Sequence, residues 1–330
     1  MRALAPLVAL ALPLLVLGCT GSAPPPAATP FAEADTLALR PLGPPFREAR
    51  AVAADPTGRL YVVDAAAAGV AELGVDGLPL GTLGGPGSGD YAFLSPADVD
   101  PTNGLVVYVA DAGNGRVQRF SRQRRLLETI PVPADPERVE AAQRTGRSGF
   151  EATPDTRALT GAGRPVAVAS AATGEVYAVE DLRGVVLRWE DRQRLTRVIG
   201  GPEMGAGALE EPVDLALGPD GTLFVADRAQ AAVLVYDPFG SFVRRIADGA
   251  ARGLRAVTVH RDRLLLVLDG GLLVYSLEGR FVQALHVPLD GVGGTPRPAD
   301  LVGVAGLEDR LYLLTPTQLF VADAPGGAGR

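Results

Sequence analysis

The chain carries a single cysteine, two histidines, two asparagines and no lysine, all 31 of its basic residues being arginine. With Cys19 alone, no intramolecular disulfide can form. The histidines, His260 and His286, are too few and too far apart to suggest a histidine-built metal centre, and Asn103 and Asn114 both sit in turn-like sequence. No Gly-x-Ser-x-Gly elbow and no phosphate-cradling glycine loop occurs. The formal charge of -7 is spread along the chain, which argues against nucleic acid, whose binding needs a basic face. The lack of lysine reads as codon bias of a GC-rich genome rather than as function. No apolar run reaches bilayer length, since Leu7 to Leu17 is too short at about eleven residues to span.

What the chain has is repetition. Tyr61-Val62-Val63-Asp64, Tyr108-Val109-Ala110-Asp111, Tyr177-Ala178-Val179-Glu180, Phe224-Val225-Ala226-Asp227, Leu266-Val267-Leu268-Asp269 and Tyr312-Leu313-Leu314-Thr315 occupy equivalent places at a period of about forty-five residues. The one long step, from Asp111 to Glu180, is accounted for by an insertion over 134-162. Within a copy, runs of about five β-favouring residues alternate with turns such as Gly218-Pro219-Asp220-Gly221 and Pro238-Phe239-Gly240, which predicts four antiparallel strands. Asp64, Asp111, Asp227 and Asp269 are expected to cap the hairpin from second to third strand, with Asn114 and Arg116 completing that turn in the second copy.

The stretch Gly84-Gly85-Pro86-Gly87-Ser88-Gly89-Asp90-Tyr91-Ala92-Phe93-Leu94-Ser95-Pro96, followed by Tyr108-Val109-Ala110-Asp111-Ala112-Gly113-Asn114-Gly115-Arg116-Val117-Gln118-Arg119-Phe120, resembles an NHL repeat, and Gly200 to Tyr236 is a second good copy. The resemblance covers residues 36-324 and implies an all-β fold, a six-bladed β-propeller of four-stranded antiparallel blades. The sixth copy supplies only three strands, so a segment ahead of the first, Thr36 to Gly43, is expected to complete it and bury Leu37, Leu39 and Leu42.

Arg2 precedes the apolar stretch that ends in Val16-Leu17-Gly18-Cys19, which resembles a bacterial lipobox. The resemblance implies a signal peptide over 1-18, cleavage before Cys19 and lipid attachment there. Residues 19-35, rich in proline and alanine, then read as a lipid anchor and flexible tether. Thr20 after the cysteine points to the periplasmic side of an outer membrane. Residues 325-330 read as a disordered tail.

The candidate ligand site lies at the start of the innermost strands. The repeat aligns Ala51, Asp98, Ala167, Asp214, Ala256 and Asp300, placing a carboxylate in every second blade around one mouth of the channel, with Arg50 and Arg255 beside it. Such a ring could hold a cation or cationic ligand, or the aspartates could serve only to accept turn hydrogen bonds. No catalytic residue, resident metal ligand or cofactor is assigned. Relatives among NHL-type amidating lyases use a histidine-ligated zinc, and gluconolactonase-like propellers a Glu, Asn and Asp around a divalent cation, neither of which is evident here. The expected function is a membrane-anchored extracytoplasmic binding or assembly scaffold. It would contact a protein or small ligand on the face that carries the 134-162 insertion. A divalent-cation-dependent lyase or lactonase in the channel is the alternative. Within the insertion, Asp135-Pro136-Glu137 predicts a short helix over Pro136 to Arg144, and Phe150 is a candidate contact in a lid or arm over the channel mouth.

Overall fold

The computed structural model describes residues 31, 33-101, 104-144, 161-190, 194-289 and 301-325. The predicted signal peptide, Cys19, most of the tether, Phe150, Asp300 and the last five residues lie outside the described residues.

Six antiparallel sheets follow one another along the chain, so the protein is a six-bladed β-propeller. Blade one is Ala49–Ala54, Arg59–Asp64, Gly69–Gly74 and Pro79–Gly84, and blade two is Pro96–Asp100, Val106–Asp111, Arg116–Ser121 and Leu126–Pro131. Blade three runs Pro165–Ser170, Val176–Glu180, Val185–Glu190 and Arg194–Ile199, and blade four Pro212–Leu217, Leu223–Asp227, Ala232–Tyr236 and Phe242–Ile246. Blade five is Ala256–His260, Arg263–Leu268, Gly271–Ser276 and Phe281–His286, and blade six contributes Gly303–Leu307, Arg310–Leu314 and Leu319–Asp323. Turn chemistry sets the strand ends. In blade four Asp220 accepts from the Thr222 N–H at 3.0 Å, and Gly221 takes the φ of 82° that the reversal demands.

Each blade stacks its faces on two neighbours, so its middle strands are buried on both sides and read as unbroken apolar runs. Val106–Asp111 and Gly271–Ser276 are buried at every residue. Side chains alternate along these strands: Tyr61 and Val63 pack towards blade two, Leu60 and Val62 towards blade six. The result is six separate hydrophobic clusters, one per seam, including a cluster of Phe46, Leu60, Val62, Tyr312 and Leu319 between the last blade and the first. That sixth seam closes the ring.

Closure uses the N-terminal segment, as the strand count required. Arg40, Pro41 and Leu42 pair antiparallel with Val321, Phe320 and Leu319, and Gln318 donates from Nε2 to the Leu42 carbonyl at 3.0 Å. Leu37 is buried among Leu285, Val287 and Phe320, with Leu39 packed against the same cluster. The preceding residues do something the repeat does not announce: Asp35–Thr36 adds a parallel strand to the outer edge of blade five. One short segment therefore joins blades five and six and supplies the fourth strand of the last blade.

The insertion begins with a closed stem. Pro133 bridges Ala162, and the Gly163 N–H donates to the Val132 carbonyl at 2.9 Å. The helix forms over Pro136–Arg144, but it packs on the outer strand of blade three, where Val139 is buried with Leu195 and Val198. Arg183 holds its first turn through Glu137 at 2.7 Å. The described part of the insertion is thus a perimeter wedge between blades two and three, not a cover over the channel.

Candidate functional site

The innermost strand of every blade has no neighbour on its channel side, which leaves its outward N–H groups without a sheet partner. In this ring aspartates supply partners. Asp98 of blade two accepts the Val168 N–H of blade three at 2.8 Å, and Asp214 of blade four accepts the Val257 N–H of blade five, also at 2.8 Å. Asp214 additionally accepts from its own successor, Leu215, at 2.8 Å. Two residues along from Asp98, and so on the same side of the strand, Asp100 accepts both the N–H and the Oγ–H of Ser170, at 2.5 and 2.6 Å. The carboxylates therefore stitch blade to blade, a longer reach than the local turn contacts expected from sequence.

Asp98 and Asp214 owe their position to a register shift at the start of the strand, between Pro96 and Asp98 and between Pro212 and Asp214. An extra residue there re-aims the next side chain. Strand register shows which residues stand at this level. Facing the penultimate residue of the second strand in blades one to five are Ala51, Asp98, Ala167, Asp214 and Ala256. Asp98 and Asp214 thus hold two of the three places predicted for carboxylates, and the third, Asp300, lies outside the described residues.

The channel is a cavity of about 180 Å³ that brings together Asp98, Asp214, Arg50 and Arg255. Both aspartates keep some contact with channel solvent yet have protein on every side. Burial drives the Asp98 carboxyl well above its ordinary range, helped by the charge of Asp214 and opposed by the Val168 and Val99 N–H groups. Asp214 is pushed up to about 7 by burial, against the hydrogen bonds from Val257 and Leu215. At the rim, Arg50 donates to Glu48 and to Ser95 Oγ, and Arg255 donates from Nε to Asp269 at 2.7 Å.

The second-strand aspartates divide. Asp64 takes the N–H groups of Arg47, Glu48 and Ala67, Asp227 those of Glu210, Glu211 and Gln230, and Asp111 those of Leu94 and Ser95 together with Asn114 and the buried guanidinium of Arg116. These carboxylates fix both the hairpin and the incoming loop. Asp269 differs, because the blade-five hairpin closes tightly between Leu268 and Gly271, leaving its carboxylate at the surface for Arg255.

Among the described residues, no group of three or more His, Cys, Asp or Glu side chains comes together as a metal-binding set. His260 lies between blades five and six with Nε2 3.0 Å from the Glu308 carbonyl, while His286 ends the outer strand of blade five. Asp100 with Ser170 was missed by sequence reading. Its signal is the Asp-x-Asp spacing of Asp98 and Asp100, which puts both acids on one side of an edge strand.

No family model and no curated protein sequence matches the chain. Solved structures do. A catalytically inactive variant of virginiamycin B lyase from Staphylococcus aureus, solved with quinupristin, is similar at a TM-score of 0.57 and 15% identity, over 84% of this chain and 82% of that one. A gluconolactonase from Xanthomonas campestris is similar at 0.57 and 16%, over 86% and 89%. A chain of a nidogen/laminin complex is similar at 0.53 and 14%, over 73% and 81%. At these identities the likeness is one of fold, the six-bladed propeller.

Proposed function

We propose that the protein is an exported scaffold, held at a membrane by lipid on Cys19, that binds its partner with the face bearing the channel mouth and the insertion stem. The observation that supports this reading is an apolar strip on that face. Tyr91 is 50% exposed, Leu94 60% and Leu182 59%. They flank a continuous run of close backbone: Leu94 lies against Gly113, Gly115 against Ala162, and Gly163 against Glu180, whose carboxylate accepts the Leu182 N–H. Tyr91 holds a φ of 57°, unusual for a bulky residue, and its half-exposed ring rests on the buried ring of Phe120 at 6.2 Å between centroids. Exposed apolar groups on a rigid frame suit recognition of another macromolecule.

The anchor and the contact face are tested separately. Radiolabelled palmitate should enter wild-type protein and not Cys19→Ser, which should also leave the membrane fraction. Cross-linking in cell envelopes should capture a defined partner with wild type and lose it with Leu94→Glu or Leu182→Glu. Capture indifferent to both substitutions would remove this face from consideration.

A second reading is a divalent-cation-dependent lyase or lactonase in the channel. It is favoured by the two raised carboxyls there and by the fold likeness to a lyase and a lactonase. Stoichiometric metal in purified protein, lost on Asp98→Asn and Asp214→Asn, would replace the scaffold reading with this one.

A further inference from the structure

The channel mouth has a charge arrangement that the inter-blade bridges leave partly unused. Around the ring, blade one supplies Arg50, blade two Asp98, blade four Asp214 and blade five Arg255, all lining one cavity. Among the described residues, blades three and six line it with Val166 and Val302, and the third lining carboxylate, Asp100, is taken up by Ser170. The carboxylates therefore flank blade three and the guanidiniums flank blade six, so the mouth is dipolar across its width.

Arg50 is closed off by Glu48 and Ser95, but Asp214 and Arg255 keep open positions. A carboxylate offers about four lone-pair sites, and Asp214 gives one from each oxygen, to Val257 and Leu215. Arg255 commits Nε to Asp269, while its two terminal nitrogens have no hydrogen-bond partner among the described residues. We propose that this mouth binds a small zwitterion, with its ammonium group at Asp98 and Asp214 and its anionic end at Arg255, bounded on the far side by Arg50. A simple cation would leave the open terminal nitrogens of Arg255 unmatched, and a simple anion would face Asp98 and Asp214. A ligand carrying both charges a few atoms apart meets each with its complement, and the valines between them suit a hydrocarbon spacer. A cavity of about 180 Å³ is below the size of a drug-like site and fits a compact metabolite. Burial already raises the proton affinity of both carboxyls, so an incoming ammonium offsets the cost of their charge.

The proposal rests on the binding reading above, restricted to a small ligand. Calorimetric titration of the mature chain with glycine, β-alanine and γ-aminobutyrate reads it directly, with the methyl ester and the N-acetyl derivative of each as singly charged probes. At least one free amino acid should bind with a Kd below about 1 mM, and its two derivatives at least about tenfold more weakly. Arg255→Met should weaken the amino acid and leave the ester unchanged. Asp214→Asn, which keeps an acceptor for Val257 and is checked for folding by its thermal melt, should weaken the amino acid and its ester and leave the N-acetyl derivative unchanged. Derivatives that bind as well as their parent, or no binding of any amino acid up to about 10 mM, would overturn the proposal. Should that happen while Leu94→Glu still abolishes partner capture, the zwitterion site falls and the scaffold stands. Zwitterion binding together with partner capture that ignores Leu94→Glu keeps the site and removes the scaffold.

Discussion

The Asp214 carboxylate of blade four accepts the Val257 N–H of blade five at 2.8 Å, so a side chain does between blades what a neighbouring strand does within one. The bond answers a need created by the ring itself, since each innermost strand turns an unpaired edge to the channel. It also places a carboxylate where its charge is costly, and that has a consequence in pH.

Asp214, pushed up to about 7, stays protonated in the folded chain where an unfolded aspartate, with its ordinary value of 3.8, has already ionised. The folded state binds more protons across that window, so stability is greatest at its acidic end and falls as pH rises from about 4 to about 7. Asp98 acts in the same direction. His260, which burial holds below its ordinary 6.5, acts oppositely, stability being lost as pH falls through that range. Asp214→Asn removes its own contribution, lessens that of Asp98 by taking away the charge that helps raise it, and leaves His260 as it is. Melting temperature followed from about pH 5 to about pH 8 should therefore decline less in Asp214→Asn than in wild type, by about 2.5 kcal/mol in stability over that range. Parallel curves would show that the carboxyl is not protonated in the fold.

Ring closure gives the second prediction. Leu37 is only 6% exposed and sits among residues of blades five and six, whereas Leu80, on an outer strand, is 46% exposed. Leu37→Ala should cost about 2 to 5 kcal/mol in urea unfolding, and Leu80→Ala well under about 1. Equal effects would mean that the N-terminal segment does not seal the ring.

Adjacent glycines at the entry to blade two should respond in opposite ways. At Gly84, φ is 88° and an added Cβ would lie 2.1 Å from a ring carbon of Phe93, which is itself fully buried. At Gly85 nothing lies within 4 Å of the same atom. Gly84→Ala should destabilise by more than about 2 kcal/mol and Gly85→Ala by less than about 1, read as the shift in unfolding midpoint. Comparable losses at both sites would contradict the packing of Phe93 on Gly84.

Much of this was legible from sequence because it repeats. The aromatic-Val-Ala-Asp phrase marks the second strand of each blade, which is buried on both faces, and a missing fourth strand in blade six pointed to Leu37, Leu39 and Leu42. What failed to show were features that break the period. The two residues Asp35–Thr36 are too few to carry a strand pattern, and their place is set by the docking of Leu37. The insertion helix was legible as a helix, but its direction was decided by Val139 finding Leu195 and Val198, a contact between distant segments. In the channel, sequence offered Asp98, Asp214, Arg50 and Arg255 as a group, and the cavity does unite those four.

Gln118 supplies the last prediction, from a position where the repeat departs from itself. Strand register makes it equivalent to Ala71, Leu187, Leu234, Leu273 and Phe320, all apolar. Gln118 is fully buried, and neither its Oε1 nor its Nε2 has a hydrogen-bond partner. A primary amide taken out of water without compensation costs about 1 to 3 kcal/mol, whereas leucine of similar length would fill the same space with carbon. Gln118→Leu should therefore raise stability by about 1 to 3 kcal/mol in urea unfolding. Gln118→Ala, which removes the amide and leaves a cavity, should gain less or lose. If the leucine variant is instead destabilised, the amide has a partner, such as a bound water in the seam between blades one and two, and a high-resolution structure of wild type would locate it.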